Sequence, residues 1–144
     1  MRIDGRWVTG ADGVERPIFD AALLHSGGQR YPIQLVLDTG ADFTLATYDV
    51  GQALAAAVLP QPGPVASSAG GTAPTLLLDV TLAFTTTDGR LVGFRGPIPA
   101  LAVPSLLDFS VLGRNAIDLL ALAYDRPRGL LALVGPPDQV VVIP

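Results

Sequence analysis

The stretch from residue 32 to residue 47, PIQLVLDTGADFTLAT, decides how the fold is read. Its apolar run Leu35-Val36-Leu37 reads as the end of a buried strand, and Asp38, Thr39 and Gly40 follow directly. A carboxylate in such a place is costly to desolvate unless something pairs with it or uses its charge. Side chains alternate along a strand, so Val36 and Asp38 share one face while Leu35 and Leu37 share the other. Asp38 therefore stands at the mouth of an apolar wall. Gly40 permits a tight turn and a close backbone approach, and the Thr39 hydroxyl can donate or accept. Asp-Thr-Gly is also ordinary turn chemistry, and chance alone places it in roughly 3% of chains this long.

Outward from this stretch, strands and turns dominate. Residues 6–9 and 14–24 read as strands around the turn GADG, and 31–37 pairs as a hairpin across the turn HSGGQR. A short strand is expected at 43–46, then a helix over 48–58 capped by Thr47 or Asp49. PQPGPVASSAGG, residues 60–71, reads as loop. Strands follow at 75–86 and 91–103, joined by TDGR. A second apolar run ending in glycine, Val111-Leu112-Gly113, precedes a short helix, and a last hairpin spans 119–125 and 129–134.

Composition sets the limits. The 144 residues read as one domain over 1–144, with 16 glycines and 13 prolines favouring strands and turns over long helices. Net charge is −4 and the nine basic residues, all arginine, are dispersed, which speaks against a nucleic-acid partner. With no cysteine and one histidine, disulfides, thiolate chemistry, cysteine-ligated zinc and a multi-histidine metal site within one chain are excluded. No apolar segment approaches the length of a membrane span and none reads as a secretory signal, so no membrane partner is expected, and a cytoplasmic location is left open rather than assigned.

Asp-Thr-Gly does not stand alone. LVLDTGAD, then AGG, then SVLGRNAID resemble, in that order, the retropepsin-like aspartic proteases, the single-domain relatives of retroviral proteases that include bacterial members. The resemblance runs from about residue 15 to residue 134 and is densest at 35–46 and 109–118. It implies an all-β fold, a closed barrel with one or two short helices, and an active site at a homodimer interface. Each chain would supply one Asp38, and the two carboxyls would share a proton and activate a water for hydrolysis of a polypeptide, with no cofactor; aspartic proteases are a standard instance of such a dyad.

The resemblance also assigns roles by position. Thr39 matches a threonine that stiffens the dyad across the twofold axis, and Gly40 one whose carbonyl meets substrate backbone. Val36, Ala41, Asp42, Phe109 and Val111 match positions that line the substrate site, although plain core is nearly as good a reading for Phe109 and Val111. Gly113 and Arg114 match structural support, Arg114 pairing with Asp42; a solvated surface charge is the competing reading of Arg114. Gly70 and Gly71 fall where the family carries a glycine-rich flap, but PQPGPVASS before them makes a poor strand. The alternative function is a retropepsin-fold peptide-binding or dimerisation module that does not cleave.

Other candidates carry less. His25 lies in a turn, and no Gly-x-Ser-x-Gly accompanies Ser67, Ser68, Ser105 or Ser110. Trp7, Tyr48 and Tyr124 are too far apart in sequence for a stacking platform. The apolar tail VVVI, 140–143, invites another chain, so residues 138–143 or the first ten are expected to pair across the twofold axis.

Overall fold

The computed structural model describes residues 1–68, 71–104 and 107–135 of the chain. Its strands are β1 (Arg2–Asp4), β2 (Arg6–Thr9), β3 (Glu15–Leu24), β4 (Arg30–Leu37), β5 (Gln61–Pro62), β6 (Ala66–Ser68), β7 (Gly71–Ala73), β8 (Thr75–Thr85), β9 (Leu91–Leu101), β10 (Ser110–Leu112), β11 (Ala121–Asp125) and β12 (Leu130–Val134). Two short helices complete it, α1 (Tyr48–Ala55) and α2 (Arg114–Ile117).

Two hairpins make the body. β8 and β9 pair along their whole length, from Thr75 opposite Leu101 to Thr85 opposite Leu91. In β8 the alternation buries Leu78, Val80, Leu82 and Phe84 and exposes Asp79 and Thr85, which fixes the register. The connecting turn is held by charge as well as by Gly89. The Thr86 hydroxyl and then the Arg90 guanidinium donate to the Asp88 carboxylate, whose pKa is lowered to about 2. β3 pairs with β4 on one side and with β8 on the other. Ile33 and Leu35 of β4 point into the core, where Phe84 meets Phe19 and Phe94 edge-on at 6.5 Å and 5.6 Å.

The expected closed barrel is not formed among the described residues. β10, β4, β3, β8 and β5 lie in one seven-stranded sheet, with β2 added on β3 and β9 on β8. Between β10 and β9 only single-residue bridges span the gap, Leu45 to Val111 and Ala46 to Ala100. That is what becomes of the strand expected at 43–46. The chain's outer strands do not fill the gap either, because β1, β12 and β11 form a separate three-stranded sheet. The first ten residues thus pair inside their own chain, β1 with β12 and β2 with β3. The other segment expected to cross the twofold axis, 138–143, lies outside the described residues.

The two sheets meet where Trp7 of β2 touches Tyr124 of β11 edge-on at 5.2 Å and Arg126 stacks over the indole at 4.5 Å. Two aromatics that the sequence separates widely are therefore in contact. The helix expected over 48–58 ends at Ala55, and the N–H groups of Ala57 and Val58 both return to the Leu54 carbonyl. Among the described residues no helix is long and apolar enough to cross a membrane.

Candidate active site

The site is built on a parallel pair. β10 runs beside β4 in the register Ser110–Leu35, Val111–Val36 and Leu112–Leu37. Asp38 continues that ladder by one bond, its N–H donating to the Leu112 carbonyl at 3.1 Å. The chain then turns: the Ala41 N–H returns to the Asp38 carbonyl at 3.2 Å, and the Gly40 N–H donates to Asp38 Oδ1 at 2.9 Å. Asp38, Thr39 and Gly40 are all exposed. The carboxylate at the end of the apolar strand is therefore not buried in the single chain, and the desolvation cost raised by the sequence does not arise there.

The turn is fastened to α2. The helix's first N–H groups have no intrahelical acceptor, and the loop supplies carbonyls: Ala41 accepts from Arg114 at 2.8 Å and Asp42 from Asn115 at 3.1 Å. Arg114 Nη2 also donates to the Asp42 carboxylate, as the motif pairing implies, and this bond raises the guanidinium above its ordinary value. Both side chains are about half exposed or more, at 53% and 67%, so the pair contributes less to stability than the backbone bonds beside it.

Gly113 is required by contact. A Cβ there would collide with the backbone carbonyl group of Phe43.

Three polar residues that brace the candidate site, Thr44, Asn115 and Ser110, were not assigned to it by the sequence reading. Thr44 is 2% exposed, and both its N–H and its hydroxyl donate to Asn115 Oδ1, at 2.8 Å and 3.0 Å. The same hydroxyl accepts from the buried Gly113 N–H at 3.2 Å. Thr44 and Asn115 thus lock the segment after Asp-Thr-Gly onto the glycine after β10. Ser110, also buried, accepts from the Thr47 N–H at 3.0 Å. The available signal was polarity out of place, a threonine in FTLAT and a serine opening SVL, both within apolar runs.

A cleft of about 520 Å³ opens in front of Asp38. One wall carries Asp38, Gly40, Ala41 and Asp42 with Phe43, and Val111 lines it as well. The arm from Pro64 to Ser68 lines the same cleft. Val36 and Phe109 are not among its lining residues: Val36 lies in the sheet between Ile18 and Val111, and Phe109 packs under the Arg16 guanidinium at 5.0 Å. β6 and β7 form a two-stranded hairpin of their own, so PQPGPVASS, expected as loop, holds two short strands, β5 and β6. Gly71 opens β7 with φ +118°, in the region glycine favours, whereas Gly70 lies outside the described residues. His25 is engaged in its own turn, its Nδ1 accepting from the Gly27 N–H at 3.1 Å. Among the described residues no group of three or more His, Asp or Glu side chains is placed to hold a metal ion.

No family model and no curated protein matches the chain. Solved structures do. A retropepsin-like aspartic protease from Rickettsia conorii is similar over 92% of this chain and 88% of its own, with a TM-score of 0.55 and 18% identity. EIAV protease, solved in complex with the inhibitor HBY-793, is similar over 77% of this chain and 92% of its own, with a TM-score of 0.50 and 21% identity. The chain is mainly β and has the fold of retropepsin-like neighbours.

Proposed function

We infer that the chain is an aspartic endopeptidase that works as a homodimer. The observation that carries this reading is the position of Asp38, solvent-exposed on a backbone-fixed turn and facing the cleft, in a fold shared with proteases. One carboxylate cannot serve as base and acid at once, so a second copy supplies the other. Across the twofold axis the two Asp38 carboxyls share one proton, because two adjacent carboxylates do not both ionise readily. The ionised member takes a proton from the water held between them as its oxygen attacks the peptide carbonyl carbon. The protonated member donates to the carbonyl oxygen.

Thr39, whose hydroxyl makes no bond within the described residues, meets its counterpart across the axis. The substrate is an extended polypeptide lying between Phe43, Leu45 and Val111 on one side and the Pro64–Ser68 arm on the other, with the β6–β7 hairpin as its flap. Activity is greatest in acid to mildly acidic solution, where the pair holds a single proton.

Asp38→Asn tests this directly. The amide oxygen of the substituted side chain can still accept from the Gly40 N–H, so the turn survives while the proton-transfer chemistry is lost. Cleavage of an unfolded protein should fall by about 10²–10⁴-fold with the melting temperature unchanged. Full retained cleavage would overturn the mechanism. If the unaltered protein binds extended peptides without cutting them, the non-catalytic binding module is the correct reading.

A further inference from the structure

The hairpin that lines the cleft forms a small sheet of its own among the described residues. β6 and β7 pair only with each other, through Ala66–Ala73, Ser67–Thr72 and Ser68–Gly71. These small side chains bury little apolar surface, which gives weight to the bonds made where the hairpin leaves the body.

At that point the β5–β8 ladder is running out. It pairs Gln61 with Leu77 and Pro62 with Leu76, and then the Gly63 N–H donates to the Thr75 carbonyl at 2.9 Å. Pro64 comes next and has no N–H to give. Its carbonyl is instead taken by a side chain: Thr75 Oγ1 donates to it at 2.5 Å. Thr75 is 4% exposed, and a Cβ at position 63 would collide with its hydroxyl oxygen. Glycine at 63 and threonine at 75 are thus matched by contact. Beyond this bond Val65 is already 64% exposed, and Pro64, Val65 and Thr75 line the same cleft as Asp38.

We propose that Thr75 is a positioning residue whose hydroxyl clasps the hairpin arm at Pro64 and so sets the width of the cleft facing Asp38. The proposal rests on the protease reading for its effect on catalysis, but the clasp itself is measurable without it. Loss of the hydroxyl frees the arm to swing away and weakens capture of an extended peptide. Chemistry at Asp38 is untouched, because none of the bonds that shape the Asp38 turn involves Thr75.

The test compares Thr75→Val, which keeps shape and β-branching, with Thr75→Ser, which keeps the hydroxyl. Amide exchange by NMR should be about fivefold faster at the Gly63 N–H in the valine variant and restored in the serine variant, while amides in the middle of β8 and β9 hold their rates. With a peptide substrate, the valine variant should raise KM about fivefold and leave kcat within twofold. Unchanged Gly63 exchange in the valine variant would overturn the clasp. So would an equal rise throughout β8 and β9, or failure of serine to restore the rate. If neither variant nor the unaltered protein cleaves anything, the protease reading fails and the exchange comparison still decides the clasp.

Discussion

Thr44→Val isolates the lock that holds the candidate active-site loop. Valine keeps the shape of threonine and removes only the hydroxyl, in a side chain that is 2% exposed. Asn115 Oδ1 retains its bond from the Thr44 N–H at 2.8 Å and loses the one at 3.0 Å. The larger loss falls on the buried Gly113 N–H, whose acceptor at 3.2 Å disappears with nothing to replace it. An unsatisfied buried donor costs about 1–3 kcal/mol, so a destabilisation of about 2 kcal/mol is expected. For a chain of this size that lowers the melting temperature by about 6–8 °C. Thr44→Ser retains both hydroxyl bonds and loses one methyl group, about 1 kcal/mol, and should fall about half as far. The assay is thermal unfolding followed by circular dichroism at one fixed protein concentration, since any self-association makes the midpoint concentration-dependent. A valine variant melting within about 2 °C of the unaltered protein, or a serine variant falling as far as valine, would refute the lock.

Gly113→Ala should be far more damaging than an ordinary helix-start substitution, because its Cβ meets the Phe43 backbone and not a flexible side chain; a loss of about 3 kcal/mol or more should appear in urea unfolding. Acid stability should depend on Asp20, whose carboxyl is held below its ordinary value first by hydrogen bonds from Arg6, with Gln34 assisting. A depressed folded value gives stability that is fully present above the unfolded value, about 3.9, and is lost as pH falls through the folded one. Asp20→Asn should therefore lower stability at neutral pH, and the difference should shrink as pH falls below about 3.9, read by urea titration across that range; since the pair is largely exposed, the neutral-pH effect should stay under about 1 kcal/mol.

The parts of the fold that the sequence disclosed are those whose cause is local. β3, β4, β8 and β9 follow from apolar alternation bounded by glycine-bearing turns, and their ends fall within two residues of the expected bounds. Asp38, Gly40, Ala41, Asp42 and Val111 all reach the cleft, and Arg114 reaches Asp42. What stayed hidden depends on partners distant in sequence. β1 is three residues long with one buried side chain, Ile3, and exists because β12 is there to pair with it. The Thr44–Asn115 bonds span 71 residues, and no local spacing announces them. Barrel closure is a property of how edges meet, which alternation within a strand does not encode. β6 was obscured by prolines that end just before it.

The parallel seat of β10 beside β4 has a consequence for biosynthesis. The Asp38 N–H donates to the Leu112 carbonyl, and the loop behind it is held by the N–H groups of Arg114 and Asn115. A ribosome that has released the first half of the polypeptide has therefore exposed the acid but not the frame that aims it. Contacts of such long sequence separation form late, since the intervening loop must close before they contribute. A nascent or truncated chain ending before residue 110 lacks the backbone partners that hold the Asp38 turn in place.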